Sequence, residues 1–238
     1  MYDLYIGNRN YSSWSLRPWV LMKERAIAFR EHLMPFAAGG PGSNRDAFRA
    51  FSPSGRVPSL TDGATRVWDS LAITEYLAER HPGVWPEDPA ARAWARCAAA
   101  EMHSGFSELR TRCTMNCGLR VRLTVLPAPL QQELLRLEEL WSEGLTRFGG
   151  PFLAGSAFSA VDAFFAPVAF RAQTYGLIFR GAAAAYPERL LALPSMRAWE
   201  TQALAEPWRE PMHEAEALTA GVVLEDLRSA AVSTEVSR

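Results

Sequence analysis

The sequence predicts an α/β domain over residues 1–81 and an all-α domain over residues 89–225. Two observations carry this prediction. Up to residue 81, short strand-like segments alternate with helical ones in the order β-α-β-α-β-β-α. Beyond a proline-rich stretch at 81–89, which is typical of a linker, apolar residues recur at helical spacing almost throughout. The small and polar residues 226–238 are expected to form a disordered tail.

Strand-forming residues and turn signals define the elements of the α/β domain. The Asp62-Gly63 pair is typical of a hairpin turn. Pro18 is expected in the first turn of a helix, where a missing N–H costs little. A flexible, glycine-rich loop is expected at 37–43. The predicted strands lie at 2–6, 28–35, 58–60 and 65–68, and the predicted helices at 15–26, 44–51 and 70–80.

The second domain contains one helix whose start is well marked. Ser159 stands three residues before Asp162, and an apolar run follows, which is a capping-box pattern with Asp in place of Glu. The predicted helices of this domain lie at 89–117, 127–148, 159–176, 187–203 and 207–218.

The overall composition indicates an ordinary soluble globular protein. Hydrophobic residues make up 48% and the net charge is −1, so the basic excess typical of nucleic-acid or membrane-surface binders is missing. No secretion signal or membrane span is expected, because the first ten residues and the rest of the chain lack the required apolar run. Three sparse cysteines favour a reducing compartment over a disulfide framework. We therefore expect a cytoplasmic protein. No metal site is expected, because the chain has only four histidines and, of these, only His103 lies near the cysteines in sequence.

Three motifs resemble the glutathione transferase family over almost the whole chain. The segments SPSGRVPSL at 52–60 and VWDSLAITEYL at 67–77 are similar to its glutathione-binding half. The segment FSAVDAF at 158–164 is similar to its C-terminal capping motif. The resemblance implies a thioredoxin-like N-terminal domain, an all-α C-terminal domain and a homodimer, with glutathione as the co-substrate.

The segment YSSWSLR at 11–17 resembles the Ser-Ser-x-Ser-x-Arg signature of the zeta class of that family. By this match Ser12 takes the catalytic serine position, and Ser13 is its rival because a one-residue shift of the turn would exchange them. A serine hydroxyl can donate a hydrogen bond to a thiolate, and the nearby helix N-terminus also favours an anion. Helix capping is the alternative role for Ser12, Ser13 and Ser15, and the last is expected to be a cap.

The glutathione-binding residues are assigned through the same resemblance. Val57 precedes Pro58 in a bond that is cis in the family, so its main chain can pair with the cysteinyl part of glutathione. Ser70 offers a hydroxyl and an N–H to the γ-glutamyl carboxylate, and Asp69 offers an acceptor to the ammonium, although the family usually has Glu or Gln there. Capping is the alternative role for Asp69. Cationic candidates are Arg17, Arg45 and Arg56.

The second substrate is expected to bind against the long helix that follows the linker. His103 is a candidate acid–base group, with a plain surface role as its alternative. Ordinary core packing is the alternative for the methionine and aromatic candidates. The candidates for this pocket are Tyr11, Trp14, Met102, His103, Phe106, Arg110 and Met115.

The leading interpretation is a detoxifying transferase that conjugates glutathione to a small electrophile. One alternative is a zeta-type isomerase or dehalogenase, and another is a protein that binds glutathione or apolar ligands without turnover. Zeta isomerases carry a substrate-binding arginine where this sequence has Thr174, with Arg171 about one turn earlier. Trp14 stands where cysteine is common in that class, so both positions weigh against the isomerase.

Overall fold

The computed structural model describes residues 1–36 and 44–229 of the chain. The predicted loop at 37–43 and residues 230–238 of the predicted tail lie outside the described residues. No helix in the described part is both long and apolar enough to cross a membrane.

A four-stranded sheet with helices forms the N-terminal part, in the predicted order of elements. The strand order is β2-β1-β3-β4, with β1 parallel to β2 and antiparallel to β3, and β3 antiparallel to β4. The elements are β1 (Tyr2–Ile6), α1 (Ser13–Glu24), β2 (Phe29–Leu33), α2 (Arg45–Phe48), β3 (Ser59–Asp62), β4 (Thr65–Trp68) and α3 (Ser70–Ala78).

The core of this part follows from the alternation in β1. Leu4 and Ile6 point inward and are fully buried, together with Leu16 from α1. Because α1 begins at Ser13, two residues earlier than predicted, Pro18 lies beyond the first turn rather than within it. Its missing N–H therefore removes one bond of the helical ladder.

The C-terminal part is built around one central helix that is buried almost all round. Its helices are α4 (Pro89–Ser104), α5 (Ser107–Arg112), α6 (Ala128–Arg147), α7 (Ala160–Tyr175), α8 (Tyr186–Leu191), α9 (Pro194–Ala205) and α10 (Pro211–Ala220). The central helix is α7, which packs against both α1 and α4. The fold class predicted from the sequence, a thioredoxin-like domain followed by a helical domain, is confirmed.

Two predicted helices are each divided in two. The helix predicted at 89–117 is interrupted where Phe106 adopts a left-handed backbone (φ 55°) after Gly105. The helix predicted at 187–203 breaks at Leu193, because the residue before a proline avoids helical geometry and Pro194 starts a new helix.

A small sheet in the C-terminal part is not predicted from the sequence. Strands β5 (Leu119–Leu123) and β6 (Gly221–Asp226) pair in a two-stranded antiparallel sheet. The signal for β5 is its alternation, since Leu119 and Val121 are buried. The predicted tail also begins too early: Asp226 pairs in β6, and the Arg228 guanidinium binds Asp226 and Glu214.

The three cysteines are free, and two of them are fully buried. Cys113 follows α5 and Cys117 precedes β5, so they do not share a helix face as the spacing of four allows. Burial raises the pKa of the Cys113 thiol to about 12 and that of Cys117 well above its usual value. Neither thiol forms a reactive thiolate near neutral pH.

We expect a thiol reagent such as Ellman's reagent to label Cys97 alone in the native protein, because Cys97 is exposed. Cys113 and Cys117 should react only after unfolding in guanidinium. Absorbance of the released thiolate measures both stages, and Cys97→Ser should remove the native stage. Fast labelling of three thiols in the folded protein would contradict this expectation.

Candidate active site

The connection between β1 and α1 places Ser12 next to the first residue of the helix. The Ser12 N–H donates to the Asn8 carbonyl at 2.8 Å. The Ser12 hydroxyl donates to Ser15 Oγ at 2.7 Å, and Ser15 Oγ in turn accepts the Gly7 N–H at 3.1 Å. Ser15 therefore supports Ser12 and is not a cap, which corrects the sequence-based expectation. Ser12 itself makes no capping bond, so its hydroxyl is free to turn to a better acceptor.

The adjacent residues Ser12 and Ser13 differ in whether they line the cavity. Ser12 lines the cavity described below, whereas Ser13 lies outside its lining. The Ser13 N–H is occupied by the Tyr11 carbonyl at 2.8 Å. This geometry favours Ser12 over Ser13 as the group that meets a ligand.

Residues of the second domain hold the β1–α1 connection in place. The Arg9 N–H donates to both carboxylate oxygens of Glu206, at 3.0 and 3.1 Å, and the Arg9 guanidinium binds Glu206 and Glu31. The Trp199 indole N–H donates to the Arg9 carbonyl at 3.0 Å. Burial raises the pKa of Glu206, and its bonds to Arg9 work against that shift. The position of Ser12 therefore depends on contacts with α9 and the residues that follow it.

A cavity of ≈ 420 Å³ opens beside Ser12, within the ~300–1,000 Å³ typical of small-molecule sites. Three parts of the chain form its walls: the β1–α1 connection with the start of α1, Phe36 with described residues between 44 and 57, and the start of α10. The side chains used in the argument below are Tyr11, Ser12, Trp14, Phe36, Arg45, Phe48, Arg56, Val57, Glu210 and His213.

Gly55 lets the loop before β3 approach α2 closely. Its φ is +66°, and a Cβ there would lie 2.6 Å from the Arg45 Cγ and 2.8 Å from the Arg45 carbonyl oxygen. Only glycine satisfies both conditions. The close approach brings the exposed cations Arg45 and Arg56 to one cavity, which fits their predicted role toward a carboxylate.

Two polar groups predicted to bind glutathione have no partner within the described residues. The Val57–Pro58 bond is cis, as the resemblance implies, and the Val57 main chain forms no hydrogen bond with the described part of the protein. Ser70 is 1% exposed, and its buried hydroxyl also has no described partner. A buried polar group without a partner is costly, so the Ser70 hydroxyl fits a ligand that brings an acceptor, and the partly buried Val57 main chain offers a further hydrogen-bonding edge. Ser70 lies outside the lining of the cavity.

Asp69 caps α3, which is the alternative to the predicted glutathione-binding role. Its carboxylate accepts the Leu71 N–H at 2.8 Å, and its Oδ2 lies 3.6 Å from His103 Nε2. Its φ of 76° is rare for a residue other than glycine. Asp69 also lies outside the cavity lining.

The second-substrate candidates on and around α4 and α5 lie outside the lining of the cavity. Met102 is 1% exposed and Phe106 5%, so both belong to the core. His103 packs edge-on against the Trp14 ring, and Arg110 donates to the His103 carbonyl at 2.9 Å. None of these four residues lines the cavity, nor does the buried Met115, whereas the predicted Tyr11 and Trp14 do. The predicted pocket is corrected for Met102 and Phe106, because their side chains pack in the core.

The Arg17 guanidinium packs against the Trp14 ring, and Arg17 does not line the cavity. Its guanidinium carbon is 4.2 Å from the centre of the Trp14 ring and 4.8 Å from that of Phe164, which places it between the two domains. Burial, together with the charges of Arg171 and Arg110, lowers the pKa of Arg17 to about 9. Its contacts are with the Trp14 and Phe164 rings, and its Nε and Nη1 are buried without a hydrogen-bond partner among the described residues.

The two residues near the zeta-class arginine position have internal partners. Arg171 donates from Nε to the Cys113 carbonyl at 2.8 Å and from Nη1 to the Pro167 carbonyl at 3.2 Å. The Thr174 hydroxyl donates to the Asn116 carbonyl at 2.6 Å. Neither residue lines the cavity.

One wall of the cavity comes from residues that no sequence motif marks. Glu210 and His213 stand at the start of α10, and the Tyr11 hydroxyl donates to Glu214 on the same helix at 2.6 Å. The sequence predicts a short helix in this region but says nothing about its position over the β1–α1 connection.

Comparisons with known proteins agree with this architecture. Residues 11–80 match the family model described as glutathione S-transferase, N-terminal domain. A stringent starvation protein A homolog from Pasteurella multocida is 24% identical, over 68% of this chain and 72% of its own. A maleylacetoacetate isomerase from Rattus norvegicus is also 24% identical, over 91% and 97%. A glutathione transferase homolog from Burkholderia, solved with bound glutathione, superimposes with a TM-score of 0.61 at 23% identity, over 85% and 97%.

The fold and the family match define the class of protein: a two-domain protein with a thioredoxin-like N-terminal half. Its N-terminal domain belongs to the glutathione S-transferase family, and the whole chain has the fold of that family. The family predicted from the motifs at 52–60 and 67–77 is therefore confirmed.

Proposed function

We propose that this protein is a glutathione transferase in which Ser12 stabilises the thiolate of glutathione for attack on a small electrophile. The observation that carries the proposal is the Ser12 hydroxyl, which lines a ligand-sized cavity at the N-terminus of α1 and is held by Ser15. In the reaction the sulfur forms a bond to carbon, and the leaving group departs with the electron pair. No metal has a role in this scheme.

The energy that the site must supply is within reach of two effects. A free cysteine thiol titrates near ~8.5, and lowering its pKa by ~2 units requires about 2.7 kcal/mol. A hydrogen bond to a charged group contributes roughly 1.5–3 kcal/mol. A helix N-terminus adds about 0.3–1 kcal/mol. The Ser12 hydroxyl and the start of α1 together supply the required amount.

Glutathione would lie along Val57 and reach Ser70 with one end. The main chain of Val57 would pair with its cysteinyl unit, and the Ser70 hydroxyl would donate to the γ-glutamyl carboxylate; neither group has a partner among the described residues. Arg45 and Arg56 would attract the glycyl carboxylate at the other end.

Ser70→Ala is the direct test of this arrangement. We expect the affinity for glutathione, measured by isothermal titration calorimetry, to fall about 10-fold or more, because one hydrogen bond to a charged group is lost. The hydroxyl has no partner among residues 1–36 and 44–229, so folding stability should hardly change. Ser104→Ala, at an exposed serine of α4, is the matched control. Equal glutathione affinity in wild type and Ser70→Ala would count against the proposal.

A zeta-type isomerase or dehalogenase is the alternative, and its support is the relative named maleylacetoacetate isomerase. The internal hydrogen bonds of Arg171 and Thr174 weigh against it, because no cation from α7 faces the cavity. Assays with maleylacetoacetate, dichloroacetate and a panel of aryl halides and conjugated carbonyls separate the two. Glutathione binding without turnover on any of them would identify a binding protein.

We also propose a cytoplasmic homodimer with a role in detoxification. The half-exposed Trp68 on β4, beside α3, offers an apolar surface to a second copy. The three free cysteines fit a reducing compartment. Light scattering on the purified protein, compared with Trp68→Glu, tests the dimer.

A further inference from the structure

His213 shares the cavity with Ser12 and rests on a buried carboxylate. Glu210 is 2% exposed, and its Oε2 accepts both the His213 main-chain N–H at 2.9 Å and the ring Nδ1–H at 2.5 Å. The imidazole is stacked between two rings, with centroid distances of 4.9 Å to Tyr11 and 5.5 Å to Phe36. The ring is therefore fixed in place and in orientation.

The carboxylate determines which ring nitrogen carries the proton. Burial raises the pKa of Glu210, but the hydrogen bonds from His213 and Met212 outweigh it, so the net shift is downward and the group is ionised. An ionised carboxylate only accepts, so Nδ1 must be the donor in the neutral ring. Nε2 is then an acceptor, and no residue in the described ranges forms a hydrogen bond with it. The second carboxylate oxygen, Glu210 Oε1, is buried without a described partner and adds negative potential beneath the ring.

The hydroxyl groups of Ser12 and Tyr11, which line the cavity, do not take a proton from a thiol. Ser12 can donate to sulfur but is not a base at neutral pH. The Tyr11 hydroxyl donates to Glu214, and burial raises the pKa of Tyr11 well above its usual value. The charged and titratable groups around His213 are Glu210, Tyr11, Glu214, the Arg228 that pairs with Glu214, and the cavity cations Arg45 and Arg56.

We propose that His213, oriented by Glu210, is the proton acceptor of this site. The inference rests on the proposed glutathione chemistry. The S–H bond of glutathione breaks, its proton moves to His213 Nε2, and the electron pair stays on sulfur, where the Ser12 hydroxyl stabilises it. The imidazolium is balanced by the Glu210 carboxylate. In a displacement the proton then passes to water. In an addition to a conjugated C=C bond it is returned to the carbon that became a carbanion.

The test compares pH profiles of kcat/KM for wild type, His213→Gln and His213→Ala. Both variants keep Ser12, so the bound thiolate stays stabilised, but its proton has no acceptor beside the sulfur. The rise of kcat/KM should therefore lie at higher pH in the variants than in wild type. At pH 7 we expect a loss of about 10-fold or more, in line with general-base contributions. Added imidazole should restore activity to His213→Ala, which a merely structural role does not predict. Glu210→Gln, a change in the positioning residue, should alter the pH profile of kcat/KM more than the affinity for glutathione.

His81→Gln is the matched control, since His81 contacts Tyr2 at the far end of β1. A folded His213→Gln with a wild-type pH profile, while Ser12→Ala is impaired, would overturn the role of His213 and leave the proposed function standing. A wild-type protein that neither binds glutathione nor conjugates it would overturn the proposed function itself, and with it this inference.

Discussion

Ser12→Ala is expected to lower kcat/KM for glutathione conjugation by about 10- to 100-fold, because a hydrogen bond to an anionic sulfur contributes roughly 1.5–3 kcal/mol. The pKa of the bound thiol should rise toward ~8.5, the value of a free cysteine thiol. Ultraviolet absorbance of the thiolate, followed against pH with saturating glutathione, measures this pKa directly. Ser12 makes no capping bond, so the expected loss of stability is that of its hydrogen bond to Ser15, about 1 kcal/mol.

Ser13→Ala separates the two candidate serines. Ser13 lies outside the cavity lining, so we expect its rate loss to be much smaller than that of Ser12→Ala. If the order of the two effects is reversed, the thiolate contact belongs to Ser13. If neither variant moves the thiol pKa, serine stabilisation of the thiolate is wrong.

The second large effect is expected at Asp162, the buried carboxylate at the start of α7. It accepts the Leu153 N–H at 3.0 Å, the Ser159 N–H at 2.9 Å and the Tyr186 hydroxyl at 2.8 Å. Asp162→Ala leaves these buried donors without an acceptor, at about 1–3 kcal/mol for each one that finds no water. We expect the free energy of unfolding in urea to fall by roughly 3–5 kcal/mol.

Asp88→Ala is the matched comparison. Asp88 is likewise an aspartate at a helix start, but it accepts only one N–H, that of Ala91, at 2.7 Å. Its side chain is exposed, so a loss of about 1 kcal/mol is expected. Equal losses in the two variants would show that the network around Asp162 adds nothing beyond a simple cap. Asp162→Asn is the milder variant if Asp162→Ala does not accumulate in folded form.

The pH dependence of stability gives an independent check on the same residue. Burial raises the pKa of Asp162 to about 6, above the ~3.9 of an unfolded chain. The folded state therefore binds the proton more tightly, and this stabilisation is complete below ~3.9 and lost as pH rises through about 6. The unfolding free energy of wild type minus that of Asp162→Asn should fall over this window, by up to roughly 3 kcal/mol.

Much of the fold could be predicted because it depends on local patterns. Alternating apolar residues define β1, the Asp62-Gly63 turn joins β3 to β4, and the Ser159–Asp162 spacing announces α7. The serine-containing segment at 11–17 and the Val57–Pro58 pair could be predicted for the same reason. Each lies within a short segment whose residue types determine its backbone.

The breaks and the small sheet depend on partners far along the chain. The left-handed backbone of Phe106 has no sequence signature, since only the packing around it holds that conformation. The alternation in β5 is visible, but its partner β6 follows nearly the whole C-terminal domain later. A short strand without a neighbour cannot be told from a helix segment by its pattern alone.

By itself, the sequence determined the family, the order of elements in the N-terminal domain and the candidate Ser12, which directly precedes α1. Only the tertiary structure decided what surrounds that serine. It turned Met102 and Phe106 into the core, placed Arg17 under Trp14, and brought Glu210 and His213 into the cavity. The physical reason is that residue spacing encodes the period of a helix or strand. The position of α10 at the same cavity as Ser12 depends instead on long-range contacts such as that of Arg9 with Glu206, 197 residues apart.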